Sequence, residues 1–191
     1  MRLASPQGFA EDPQLVSQWY AHRRHAIAEA QPNDAHIALA RHSEMIHVTQ
    51  NVDDLLHRAG AQHVVQLHGT IAHDRCNGDC GFREAVDMTN PPALRTCPQC
   101  GDQLRPAVVW FGEALPSDAW TEAERACRDC EVLLVIGTSA VVYPAAGLIG
   151  LAKSAGARII IVNTHQSDAS GLADVELLGK ASEVVPAILS Y

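Results

Sequence analysis

Four cysteines fall in two close pairs, Cys76-Asn-Gly-Asp-Cys80 and Cys97-Pro-Gln-Cys100-Gly101. Two such pairs on turn-forming residues, divided by a hairpin-length stretch, suit tetrahedral zinc. Each pair curls around one side of the ion, and Pro98 and Gly101 shape the second into a tight knuckle. Four thiolates fill the shell and leave no position for water, so the expected role is structural. A third pair, Cys127-Arg-Asp-Cys130, has redox spacing but no knuckle residues. It runs from a helical pattern straight into a strand and reads as packing.

A second set of reactive side chains follows strand-like runs. Gln50, Asn51 and Asp53 come after 45–49, and His68 and Gly69 after 63–67. Gly137, Thr138 and Ser139 come after 131–136, and Asn163 after 158–162. In doubly wound sheets the ligand lies outside the carboxyl ends of the strands, so these loops converge where chemistry belongs. Each has a plain alternative: Asn51 as a helix N-cap, Asp53 as a partner of its dipole, His68 as a loop histidine, Gly137–Ser139 as a turn. No G-x-G-x-x-G and no P-loop occurs, so a nucleotide site here lacks the usual phosphate cradle.

The elements that must position these residues alternate. Asp12-Pro13 reads as a helix start, with Leu15, Val16, Trp19 and Tyr20 at helical spacing, and a second helix runs from near Asn33 through Ala40. Strands are expected at 45–49, 63–67, 107–111, 131–136, 158–162 and 175–178. Helices are expected after Asn51 to Gly60, and at 117–128, 144–155 and 181–189. The fold class is α/β, a Rossmann-like parallel sheet with helices on both faces, a zinc-ribbon insertion and a helical segment. The expected organisation is a helical segment 1–44, a first core part 45–72, a zinc module 73–105 with little periodicity, and a second core part 106–191.

Composition bounds the partners. The chain has 191 residues and a net charge of −8, which argues against a charge-driven nucleic-acid binder. No run approaches the roughly 18 apolar residues of a membrane span, and the first residues lack the apolar centre of a secretion signal. The expectation is a cytosolic protein without membrane or nucleic-acid partners, whose cysteines bind metal or stay reduced.

Thr49-Gln50-Asn51-Val52-Asp53 with Ala59-Gly60 resembles the T-Q-N-[IV]-D…A-G motif of sirtuins, NAD-dependent protein-lysine deacylases. His68-Gly69, the two cysteine pairs, Val109-Trp110-Phe111-Gly112-Glu113 and Gly137-Thr138-Ser139 with Val142 and Pro144-Ala145 continue the match in chain order. Asn163 and Gly179-Lys180-Ala181 complete it. In that family the acyl-lysine oxygen displaces nicotinamide from the ribose of NAD, and the acyl group ends on ADP-ribose. The resemblance makes His68 the base on the ribose hydroxyls, a role that suits imidazole near neutral pH. It assigns Gln50, Asn51 and Asp53 to nicotinamide and ribose. Gly137, Thr138, Ser139 and Asn163 fall to phosphate and ribose, and Lys180 and Ala181 to the adenine end. It assigns Val109, Phe111, Gly112 and Val142 to the acyl-peptide, whose main chain would add as a strand along 109–112.

Tyr20 and Arg23 resemble the Tyr-x-x-Arg segment of class III sirtuins, which take succinyl- and malonyl-lysine as well as acetyl-lysine. A guanidinium can grip the acyl carboxylate in bidentate fashion while a phenol adds a third donor. The family's opening strand and Gly-Ala-Gly-x-Ser loop have no counterpart here, so Met1 aligns downstream of them. The alternative expectation is therefore a truncated, catalytically impaired member that binds peptide.

Overall fold

The computed structural model describes residues 2–78 and 80–190. Along the chain run α1 (Pro6–Glu11), α2 (Pro13–Glu29), α3 (Asp34–Ala40), β1 (Ile46–Thr49), α4 (Leu55–Arg58), β2 (His63–Gln66), β3 (Gly69–Cys76) and β4 (Arg83–Ala85). Then follow β5 (Leu104–Val108), α5 (Ser117–Asp129), β6 (Val132–Ile136), α6 (Gly147–Ala155), β7 (Arg158–Asn163), β8 (Val175–Leu178) and α7 (Ala181–Leu189). These elements form two units. One comprises Met1–Gln31, Asn51–Asp54 and His68–Pro116; the other comprises Pro32–Gln50, Leu55–Leu67 and Ser117–Tyr191.

In the first unit, Asp12 caps α2 by accepting from Leu15 N at 2.9 Å, with Pro13 at the first helical position. The buried residues of α2 are Val16, Tyr20 and Arg24, one stripe at fourfold spacing. They pack with Phe9, Ile71, Val108 and Trp110. Strands β4-β3-β5 form an antiparallel sheet in that order. A smaller cluster of Cys76, Cys97 and Leu104, with Phe82 against it, holds its far end.

The second unit is the layered part. β1 pairs in parallel with β2, and β6-β7-β8 form a separate parallel sheet. Side chains alternate across β6: Leu133 and Val135 join the cluster of α5 and α6, whereas Leu134 and Ile136 join that of α3 and α7. Each aliphatic side chain fully buried this way stabilises the fold by about 1.5–3 kcal/mol.

Four expectations need correction. The 73–105 stretch is not devoid of regular structure: it holds β4, the second half of β3 and the start of β5. Its strands hide from pattern reading because Asp74 is buried on β3, against the alternation of apolar and polar residues, and Arg24 from α2 and Arg95 make that tolerable. The strand expected at 107–111 lies at Leu104–Val108 and is buried throughout, with Arg105 inside it. Its guanidinium stacks on Trp110 at 3.7 Å and pairs with Glu113, so the charge is not carried alone. Finally, the helix expected directly after Asn51 is α4, a single turn that starts at Leu55. The helix expected from 144 likewise starts at Gly147.

Candidate active site and metal centre

The four Sγ atoms of Cys76, Cys80, Cys97 and Cys100 all lie within 4.8 Å of one another. Cys76 and Cys100 approach to 3.4 Å, and Cys80 and Cys97 to 3.5 Å. Thiolates around one zinc at about 2.3 Å require spacings of this size, and the donor set is the one zinc prefers. Cys76 ends β3, whereas Gly101 N donates to Cys97 O at 2.9 Å and closes the knuckle. Burial pushes the Cys97 thiol up, but backbone N–H groups of Cys100 and Gln99 outweigh it and bring the thiol down to about 7. The residues present therefore fit one structural zinc. Cys127 instead lies in the α5–α6 core at 3% exposure, where burial pushes its thiol up to about 11. An inert buried thiol matches the packing reading.

The first unit also carries His68 and its surroundings. Ile71 N donates to Val52 O at 2.9 Å, which ties the segment bearing Asn51 and Asp53 to β3 just beyond His68. Val109 N donates to His68 O at 2.9 Å, so the main chain at the start of 109–112 is joined to the histidine itself. Gly69 makes this approach possible. Its φ is +72°, and a Cβ there would sit 2.2 Å from Ala107 O. Trp110 N donates to Glu113 Oε2 at 2.8 Å, and Phe111 N to Ala4 O at 3.0 Å. Phe111 and Gly112 are exposed beyond this anchored turn.

Tyr20 and Arg23 are neighbours on α2 that differ in exposure. Tyr20 is 4% exposed and accepts from Trp110 Nε1 at 2.9 Å. Burial raises its pKa above the ordinary 10.0, the Trp110 hydrogen bond opposing, so the phenol keeps its proton. Arg23 is exposed and lies over the Trp19 ring at 4.9 Å. Sequence reasoning missed Arg24, which donates to Ile71 O, His73 O and Asp74 Oδ1. The signal was present: Arg24 continues the Val16–Tyr20 stripe and so had to be buried and paired.

The second unit holds the remaining candidates. Gly137 N donates to Val162 O at 3.0 Å, and Asn163 Nδ2 donates to Thr138 O at 2.8 Å. Thr138 Oγ1 accepts from Ala140 N at 3.1 Å. Gly179 N donates to Asn163 O at 2.9 Å, which brings the Lys180–Ala181 segment to the same strand end. Asn163 thus organises the two loops it lies between. Ser139, Val142 and Lys180 are exposed, and Lys180 pairs with Glu183 at 3.5 Å. Gln50 follows the last residue of β1.

Comparison with known proteins matches this arrangement to a family. A sequence model of the Sir2 family matches residues 1–144. NAD-dependent protein deacylase 2 of Pyrobaculum aerophilum is 45% identical over 191 residues, which cover 98% of this chain and 76% of that protein. A solved Sir2 homolog–NAD complex is 43% identical with a TM-score of 0.94, over 99% of this chain and 75% of that one. A Sir2 protein bound to acetylated peptide superposes with a TM-score of 0.90 at 27% identity, over 99% of this chain and 82% of its own. With a four-thiolate knuckle, a histidine joined to the 109–112 segment and a parallel sheet of matching topology, the chain belongs to the Sir2 family.

Proposed function

We propose that the protein is a cytosolic NAD-dependent protein-lysine deacylase that accepts succinyl- and malonyl-lysine as well as acetyl-lysine. The observation that carries the reaction class is the hydrogen bond from Val109 N to His68 O, which fixes the base against the segment assigned to the acyl-peptide. When bound, NAD supplies an electrophilic ribose carbon with nicotinamide as the leaving group. His68 takes the proton from a ribose hydroxyl, and Asn51, Asp53 and Gln50 orient the nicotinamide end. Main-chain groups of 109–112 pair with the peptide as an added strand, which gives affinity with little dependence on sequence. Gly137, Thr138 and Ser139 offer backbone and hydroxyl donors to phosphate, and Asn163 keeps their loop in place.

The preference for acidic acyl groups rests on Arg23 and Tyr20. Arg23 has an exposed guanidinium, and its neighbour Tyr20 is a phenol held neutral, with a proton to donate. Such a pair is matched to a carboxylate. Peptide binding without turnover is the second reading, and the exposed segment at Phe111 and Gly112 is the observation that favours it.

Incubation with NAD and succinyl- or acetyl-lysine peptide should release nicotinamide, and His68→Ala should abolish the release. Release no greater than in that variant would reject turnover and leave peptide binding. Arg23→Met should reduce desuccinylation about tenfold more than deacetylation, the worth of a charge-assisted hydrogen bond to carboxylate. Equal losses would reject the carboxylate contact alone.

A further inference from the structure

Glu113 ends the turn that follows β5, and its carboxylate is directed back into the first unit. Oε2 accepts from Trp110 N at 2.8 Å. Oε1 accepts from Arg105 Nη2, and from Arg75 Nη2 at 3.3 Å. Glu113 N in turn donates to Trp110 O at 3.0 Å. The four-residue turn 110–113 is thus closed twice, once by main chain and once by the carboxylate. Gly112 has the positive φ, +90°, that the third position of a type II turn requires.

Arg105 is what aims that carboxylate. Its side chain is 1% exposed, and its guanidinium lies 3.7 Å over the Trp110 ring. Among the described residues Glu113 is its one ion-pair partner, and its Nε and Nη1 are buried without any hydrogen bond. A buried charge satisfied so incompletely is a poor way to stabilise a core. An apolar pair of similar volume does as well or better. A charge-assisted pair is instead directional: it fixes where the carboxylate points. Here it points at the N–H of Trp110, whose ring is fixed in turn by the Tyr20 hydroxyl at 2.9 Å and the Phe9 ring at 5.3 Å.

This decides which main-chain donors the segment has left. Val109 N is held by His68 O, Phe111 N by Ala4 O and Glu113 N by Trp110 O. The carboxylate takes Trp110 N. Among the described residues, Gly112 N alone of the donors at 109–113 has no partner, and Gly112 is exposed. A surface turn that orders only when its ligand arrives loses affinity to that ordering, and one fixed in advance does not.

We propose that Glu113, aimed by Arg105, is a positioning residue for the acyl-peptide: its carboxylate holds the turn 110–113 ready so that Gly112 N is presented to a main-chain carbonyl of the substrate. The inference rests on the deacylase reading above. Both side chains act through the main chain of Trp110 and need no contact with the peptide. The ion pair is thus kept for the geometry of the turn and not for the stability of the core.

The test separates geometry from stability. Glu113→Leu leaves Arg105 buried with its charge unpaired, so it should lower the melting temperature and weaken binding of an acetyl-lysine peptide. The double variant Arg105→Met with Glu113→Leu removes both charges. It should melt closer to the unaltered chain than Glu113→Leu does. Its peptide affinity, read by fluorescence anisotropy, should nevertheless stay at least about tenfold weaker, the low end for a hydrogen bond to a charged group. Amide exchange at Trp110 should be faster by at least about tenfold, with β3–β5 pairing unchanged. The double variant carries the affinity test even where the single one does not fold. Peptide affinity that recovers together with stability overturns the proposal, and so does unaltered exchange at Trp110. A double variant no more stable than the single one overturns it too, because the pair would then serve the core. An unaltered chain that binds no acetyl-lysine peptide rejects the deacylase reading and the positioning role with it. Equal affinity in the unaltered and double-variant chains rejects the positioning role alone.

Discussion

Arg23 and Arg24 are adjacent and chemically identical, yet the fold gives them opposite tasks. Arg24 Nη2 lies 2.6 Å from Asp74 Oδ1, and the two side chains are 3% and 7% exposed. Arg95 adds a second contact to Asp74 at 3.0 Å. Removing Arg24 leaves a buried carboxylate with only that outer partner. Arg24→Met should therefore cost about 3 kcal/mol in urea unfolding, at the low end for breaking a buried pair. Arg23→Met removes an exposed guanidinium stacked on Trp19 and should cost no more than about 1 kcal/mol. Equal costs would contradict the assignment of one arginine to the core and the other to solvent. The sequence shows two arginines on a helix. Which one is buried depends on Asp74, fifty positions away.

At the level of elements, β1 carries a buried histidine. His47 is 8% exposed opposite Val64, and burial, then the charge of His63, pushes its pKa below the ordinary 6.5. The folded chain holds His47 neutral, whereas the unfolded chain protonates it near pH 6.5. Where the unfolded state binds more protons, stability rises with pH. The contribution is thus full above about pH 6.5 and is lost as pH falls through the folded value. His73, lowered by burial and by Arg83, adds a slope of the same sign. Thermal melting between about pH 7.5 and 5 should fall steadily, and His47→Gln should remove part of that fall. An unchanged slope would mean that His47 is solvated. β1 itself was legible as a short apolar run before Thr49-Gln50-Asn51. β4 was not, because Arg83-Glu84-Ala85 has no apolar alternation and pairs only through β3.

For the molecule as a whole, the metal centre compensates for a core that is too small. Among the described residues, the apolar cluster at the sheet end beside the cysteines has Cys76, Cys97 and Leu104 buried, with Phe82 against them. So few apolar groups rarely hold a fold without a metal or cross-link. Purified protein should contain about one zinc per chain. Chelation should speed amide exchange in β4 and in 97–104 and leave β6–β8 unchanged. Zinc far below one per chain, or exchange unaltered by chelation, would reject the four-thiolate site.

The sequence by itself determined what depends on neighbours along the chain. The cysteine knuckles, the Asp12-Pro13 helix start, the polar residues that end β1, β6 and β7, and the family motifs are short-range patterns of residue type. Only the tertiary structure decided what depends on burial and pairing between distant segments. It put Tyr20 in the core with its hydroxyl on Trp110, chose Arg24 over Arg23 as the partner of Asp74, and made a strand of Arg105 and its neighbours. It also divided the parallel sheet into β2-β1 and β6-β7-β8. A strand's partner is not written in its own residues, because the hydrogen-bonding groups of every strand are the same main-chain groups.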